Sequence, residues 1–233
     1  MVNDGRLRCE RAHGVAEQKE RKLRPMLRAQ QCAELGHVGN EAVEAALEQY
    51  AAAITHTHEI NIAAKTADYL LLGKTIGWFQ SGAEFGPRAL GHRSILADPR
   101  SRDIQLHINS TIKFREDFRP FAPAVLFEDK ELYFELGLES PYMILIDRIR
   151  PEWKDKMPGI VHVNGTCRVQ TVKEESEEFY KLLTEWKKRS GISVLLNTSF
   201  NKKGMPIVET PAEAIDFFLN CNLDILVINN HII

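Results

Sequence analysis

From Lys74 onward the sequence breaks into short apolar runs rich in β-branched and aromatic residues, and no other feature constrains the fold as much. Read by periodicity, the runs predict strands near residues 74–80, 122–127, 142–149, 160–163, 167–172, 192–196 and 224–228, with helices near 101–112, 128–136, 175–189 and 211–219. Strands between 142 and 172 follow one another directly, whereas the others are separated by helices. A fully parallel, doubly wound sheet needs strict alternation. The expected fold is therefore α/β of the α+β kind, a mixed, twisted open sheet with flanking helices. Two helices are marked by local chemistry. Phe179, Leu182, Leu183 and Trp186 form one face of the first, which Gly191 ends, and Thr210, Pro211 and Glu213 give the second a capping box with proline at its first position.

Ahead of this block the composition differs. Residues 1–34 are rich in Arg, Lys, Glu and Gln and poor in β-branched and aromatic side chains, the pattern of a charged tail that is helical or disordered. Residues 35–73 show helical spacing at Ala42, Val43, Ala46, Leu47 and Tyr50 and again across 62–72, where Gly73 supplies a stop. They are expected to form a helical linker into a main domain over 74–233. His56-Thr-His58 in that linker has metal-ligand composition. H-x-H, however, puts two imidazoles on opposite sides of a helix or on one face of a strand, and no third ligand stands nearby in sequence, so no metal site is expected.

A formal net charge of −2 argues against a general DNA or RNA binder while leaving room for a compact cationic site. Cys9, Cys32, Cys167 and Cys221 are widely spaced and form no CxxC, as free thiols in a reducing compartment would be, so the expected location is cytoplasmic. No apolar run reaches the ~20 residues needed to span a bilayer, and no membrane association is expected.

The chemistry concentrates in four segments. Phe85-Gly-Pro-Arg-Ala-Leu-Gly-His-Arg-Ser94 reads as a loop between a strand and a helix that Ser101 caps and whose Ile104, Ile108 and Ile112 recur every fourth residue. Arg88 and Arg93 on such a loop suit phosphate or carboxylate, because guanidinium offers a planar fork to paired oxygens. The competing reading is a surface loop whose arginines pair with Glu84 or Asp98. Lys113-Phe-Arg115 follows the helix, and alternation in an extended segment would aim both cations to one side with Phe114 on the other. Asn197-Thr-Ser-Phe-Asn201 ends the strand Ile192-Ser-Val-Leu-Leu196, where open α/β sheets bind ligands, although a turn held by side-chain to backbone bonds fits it as well. Arg168 lies in a strand built to be half buried and requires an anionic partner, protein or ligand. The P-loop, the dinucleotide-binding fingerprint and the nucleophile elbow are all missing from the sequence. Cations without a nucleophile suit electrostatic stabilisation of phosphate chemistry.

Together, Gly77-Trp-Phe-Gln80, Glu84-Phe-Gly-Pro-Arg-Ala-Leu-Gly-His-Arg-Ser-Ile-Leu-Ala-Asp-Pro99, Lys113-Phe-Arg-Glu116, Phe118-Arg-Pro-Phe-Ala-Pro-Ala124, Arg168-Val-Gln-Thr-Val172 and Leu196-Asn-Thr-Ser-Phe-Asn201 resemble the C-terminal domain of the O-carbamoyltransferases of nodulation-factor and antibiotic biosynthesis. The resemblance covers about 74–233 and extends more weakly back to about Leu35. It implies a YrdC-like fold, with the family's K-x-R and S-x-N signatures on Lys113, Arg115, Ser199 and Asn201. It further implies that carbamoyl phosphate and ATP with Mg2+ yield a carbamoyl-adenylate, which passes to a Kae1-like domain for transfer to a hydroxyl. On that basis Lys113, Arg88 and Arg168 would hold carbamoyl phosphate, with Asn197 and Ser199 donating hydrogen bonds. Arg115 and Asn201 would face the nucleotide, and Arg93 would help offset the repulsion between the two anions. Two positions depart from the family, His92 where Asn is common and Met205 where an acid is common. Nothing before Lys74 is long enough to be a Kae1-like domain, so a separate Kae1-like protein is the expected partner. The alternative is a non-catalytic remnant or ligand-binding module of the same fold.

Overall fold

The computed structural model describes residues 34–35, 38–84, 86–116 and 119–233. The charged tail expected over 1–34 lies outside the described residues except for Glu34. In chain order the elements are β1 (Glu34–Leu35), α1 (Asn40–Gln49), β2 (Thr57–His58), α2 (Ile62–Leu71), β3 (Ile76–Phe79), β4 (Ala83–Glu84), β5 (Arg93–Ala97) and α3 (Ile104–His107). There follow β6 (Ala122–Leu126), α4 (Lys130–Tyr133), β7 (Leu145–Arg148), α5 (Pro151–Lys154), β8 (Thr166–Val172), α6 (Glu177–Ser190), β9 (Val194–Ser199), α7 (Pro211–Leu219), β10 (Ile225–Ile228) and β11 (His231–Ile232).

Nine strands form one mixed sheet in the order β2-β11-β10-β3-β5-β9-β6-β8-β7, and β1 pairs separately with β4. The β10–β3 and β6–β8 pairs are parallel and the remaining pairs of the large sheet antiparallel. The mixed open sheet with flanking helices is thus the architecture the sequence predicts. The two helices with the clearest local signals end where expected. Thr210 and Glu213 form both halves of the capping box on α7, and Gly191 closes α6 in the left-handed conformation, at φ 80°.

Helices α6 and α7 cover opposite faces of the sheet. On one face, Gly91 stacks so closely beneath Phe179 of α6 that a Cβ would overlap the ring, and Gly91 N donates to Ser94 Oγ at 3.1 Å. On the other, Phe217 of α7 meets Phe200 edge-on at 5.3 Å, and a Cβ on Gly77 would lie 2.8 Å from the Phe200 ring. Both indoles are satisfied inside the core, Trp78 Nε1 by Gly91 O and Trp186 Nε1 by Val194 O, each at 2.9 Å. Full burial of these rings contributes on the order of 2–3 kcal/mol apiece.

Four expectations require correction. Residues 93–97, read as loop and approach to a helix, form the central strand β5, so the chain runs strand, loop, strand, helix. The strand expected at 160–163 is instead the end of a tight turn, Pro158–Ile160, because Gly159 N donates to Pro99 O and Ile104 crowds the glycine. The helix expected over 101–112 is α only from Ile104 to His107, starts after Asp103 rather than at a Ser101 cap, and widens into π-type turns over Ile108–Lys113. The segment 113–115 is consequently not extended, and Phe114 turns left-handed at φ 50°, ψ 50°. Among the described residues no helix is long and apolar enough to cross a membrane.

Candidate functional site

Strand register brings the predicted segments to one end of the sheet. Phe79, the last residue of β3, pairs with Arg93, the first of β5; Ser94 pairs with Ser199, the last of β9; and Asn197 pairs with Ala122, the first of β6. Parallel pairing of β6 with β8 then sets Arg168, near the start of β8, at the same end.

The loop over this end is organised by a residue that cation-seeking logic passed over. Glu84 Oε1 accepts from three backbone N–H groups, those of Leu90 (2.6 Å), His92 (2.8 Å) and Arg93 (3.1 Å), and so wraps the loop around one carboxylate. Beneath the loop, Asn197 Nδ2 donates to Ala89 O at 3.2 Å and to Gln170 Oε1 at 2.7 Å, while Gln170 Nε2 donates to Leu90 O at 2.7 Å. Gln170, 2% exposed, is a second residue missed from sequence. Its signal was available, because strand alternation places it on the face of Arg168, two residues before it.

Lys113 is the most unusual group. Only 3% exposed, its ammonium donates to Ser199 O, to Ser199 Oγ at 3.2 Å and to Asn201 Oδ1 at 3.0 Å, all neutral acceptors. Burial first, and then the like charge of Arg115, hold its pKa well below the ordinary lysine value. Ser199 Oγ also donates to Asn201 Oδ1 at 2.7 Å, and Asn201 Nδ2 donates to Met205 O at 2.8 Å. The K-x-R lysine and both S-x-N side chains therefore form one network.

Arg115 and Arg168 share the lysine's predicament. Arg115 stacks on Phe121 with its guanidinium carbon 4.7 Å from the ring centroid and donates to Asn109 Oδ1 at 2.7 Å. Its pKa is lowered by burial, then by Arg119, with Glu116 opposing and Arg168 adding to the lowering. Arg168 is lowered by burial and by Arg88, and its buried Nε has no partner among the described residues. Arg88 itself is exposed on the loop. An open pocket of about 410 Å³ adjoins Asn201, bounded by Glu84, Gly86, Pro87, Pro206 and Val208.

Arg93, expected among the anion-binding cations, is engaged by carbonyls of the protein itself. It is fully buried, its guanidinium carbon lies 3.4 Å from the Phe79 ring centroid, and it donates to the carbonyls of Gln80 (2.7 Å), His92 (3.1 Å), Ser81 (3.0 Å) and Glu209 (3.5 Å). Burial lowers its pKa to about 10 against the pull of Glu84 and Glu209. Alternation from Ser94 points this side chain to the face opposite the loop, so its role is to tie the strand ends together. The Asn197 amide nitrogen is engaged in the loop scaffold, while its Oδ1 is buried with no partner among the described residues. At the departing positions, the His92 ring has a buried Nδ1 with no partner among the described residues, and Met205 packs against the core.

The histidines of the linker meet a third. His58 pairs across β2–β11 with His231, and His56 Nδ1 lies 3.3 Å from His231 Nδ1. Among the described residues no group of three or more His, Cys, Asp or Glu is placed to hold a metal ion.

With this geometry in hand, comparison with known proteins is decisive. Residues 67–233 match the model of the carbamoyltransferase C-terminus. The chain belongs to that family. This carbamoyltransferase C-terminal domain is 42% identical to nodulation protein NolNO of Sinorhizobium fredii over 177 residues, 74% of this chain and 26% of that protein. It is also 42% identical to nodulation protein NolO of Bradyrhizobium diazoefficiens over 196 residues, 82% of this chain and 36% of that protein. The chain therefore spans between about a quarter and a third of the length of these relatives. Among solved structures, full-length HypF in its phosphate- and nucleotide-bound form shares the fold, with a TM-score of 0.53 at 16% identity, covering 73% of this chain and 25% of that one.

Proposed function

We propose that this carbamoyltransferase C-terminal domain binds carbamoyl phosphate and ATP side by side and that the two yield a carbamoyl-adenylate, which a Kae1-like domain transfers to a hydroxyl acceptor. The observation that carries the reading is Lys113, a buried ammonium whose acceptors among the described residues are neutral, beside Arg115, with half-buried Arg168 and exposed Arg88 at the same end of the sheet. Such a cluster is costly until an anion enters, and its burial strengthens whatever interaction the anion makes.

Carbamoyl phosphate would take Lys113, Arg88 and Arg168, with Ser199 Oγ and Asn197 Oδ1 as neighbours, and the triphosphate would take Arg115 and Asn201. Water would release phosphate from carbamoyl phosphate, and a carbamate oxygen held in line would attack the α-phosphorus of ATP with departure of pyrophosphate. Magnesium would arrive on the nucleotide, since this ion is commonly held by substrate phosphates with one or two carboxylates. Glu84 and Glu209 both line the adjoining pocket, and Glu84 Oε2 is buried with no partner among the described residues.

Incubation with labelled pyrophosphate, ATP, magnesium and carbamoyl phosphate tests the reading. Label should enter ATP only when carbamoyl phosphate is present, and Lys113→Ala should abolish exchange. Folded wild type that binds carbamoyl phosphate without exchange would instead identify a ligand-binding module, and failure to bind either substrate would overturn the reading altogether.

A further inference from the structure

Phe114 breaks three local rules at once. A bulky aromatic residue stands in the left-handed region, at φ 50° and ψ 50°, where a Cβ is unfavourable. It terminates the π-type turns of Ile108–Lys113, a distortion that concentrates at functional sites. Its ring is 52% exposed although both neighbours turn their cationic side chains inward.

The strained conformation is imposed from both sides. Lys113 O accepts from Lys203 N at 3.0 Å while its ammonium is tied to Ser199 and Asn201. Arg115 N donates to Asn109 O at 3.0 Å, and its Nε donates to Asn109 Oδ1 at 2.7 Å. Between these anchors, a left-handed residue lets both flanking cations turn into the site, and the ring in between is left in solvent. Strain of this kind persists only where the surroundings over-determine it, and it gathers at ligand clamps.

We propose that Phe114 is a stacking face for the base of the nucleotide whose phosphates lie against Arg115 and Asn201. The inference rests on the ATP reading above and assigns that site a residue for the uncharged half of the ligand. A nucleotide carries both halves of what Phe114 and Arg115 offer, a polyanion for the cation and a planar base for the exposed ring. Stacking tolerates any base because every base has a π-face, so the platform supplies affinity and leaves the choice between adenine and guanine to other groups.

Calorimetry with ATP, with inorganic triphosphate as the anion-only probe, and with carbamoyl phosphate separates the two halves. Phe114→Leu should weaken ATP on the order of tenfold and leave triphosphate and carbamoyl phosphate unchanged. Phe114→Trp should keep ATP affinity, and its fluorescence should respond to ATP but not to triphosphate. Equal effects of Phe114→Leu on ATP and triphosphate, no effect on either, or a silent tryptophan would overturn the stacking role while leaving the anion site intact. Wild type that binds neither ATP nor triphosphate would overturn both readings together.

Discussion

Replacing Lys113 by methionine separates a ligand-binding lysine from a structural one, because the two roles predict opposite signs. At 3% exposure the ammonium has lost nearly all its water and holds three neutral acceptors in exchange. Burying an ion costs several kcal/mol after relaxation, and hydrogen bonds from a charged donor return about 1.5–3 kcal/mol each. Repulsion from Arg115 weighs on the unfavourable side. Methionine is unbranched and similar in volume, so it fills the space without a cavity. Asn201 Oδ1 keeps the Ser199 hydroxyl as a donor at 2.7 Å, and the principal loss is one donor to the Ser199 carbonyl, about 1–3 kcal/mol. Removal of the charge outweighs that loss, and Lys113→Met should be more stable than wild type by about 1–2 kcal/mol. Thermal unfolding without ligand should then show a rise in Tm of roughly 2–8 °C for a domain of this size. Carbamoyl phosphate at about 100 times its Kd should stabilise wild type by about 2.7 kcal/mol and the variant by nothing measurable. A variant that is destabilised by more than about 2 kcal/mol yet still responds to ligand would refute the reasoning and make Lys113 a structural tie.

Three further outcomes are expected. Because burial and Arg115 hold the Lys113 pKa down in the free protein, a bound anion must raise it, so carbamoyl phosphate binding should take up protons; calorimetry in buffers of different ionisation enthalpy reads the number, and proton release would contradict it. Arg93→Met should destabilise the fold by about 3 kcal/mol or more, since four carbonyls lose their donor, and a thermal melt showing no loss would return Arg93 to the ligand site. The His231 imidazole is held below its ordinary value by burial and then by His56 and His58, with Glu44 pulling the other way, so below about pH 6.5 the unfolded chain binds more protons there than the folded one. Its stabilising contribution is complete above that pH and is lost as pH falls toward the lowered folded value, and a melt series from about pH 7.5 to about pH 5.5 should be flatter for His231→Gln than for wild type.

What was legible in the sequence was local. The α7 start is written in Thr210, Pro211 and Glu213, whose bonds close within one turn, and the α6 end in Gly191, whose left-handed φ is a property of the residue itself. What was not legible depended on partners far along the chain. Strand β5 opens with Arg93 and Ser94, a polar start that reads as loop until Phe79, Gln80, Ser81 and Glu209 supply a ring and carbonyls to bury the guanidinium. Alternation across 113–115 presumes an extended chain, and only the π-type turns before Phe114 show that both cations turn inward by another route. Residue type told which side chains could meet an anion, but not which were already satisfied by the protein.

That distinction separates the cations of this end of the sheet into two sets. Arg93 has carbonyls on the face away from the loop, and its nearest charges, Glu84 and Glu209, pull its pKa up against burial. Lys113, Arg115 and Arg168 titrate lower first through burial and then through neighbouring cations, Arg115 acting on Lys113, Arg119 and Arg168 on Arg115 against Glu116, and Arg88 on Arg168. Like charges of this kind weigh against the free domain, and the proposed anion would offset them. The set is also graded in depth, from exposed Arg88 through half-buried Arg168 and Arg115 to buried Lys113. Salt screens exposed charges far more than buried ones. On the proposed function, Arg88 would capture the incoming phosphate and be the first contribution that ionic strength removes, whereas Lys113 would act after the ligand has shed its water, where the interaction is strongest and least sensitive to salt.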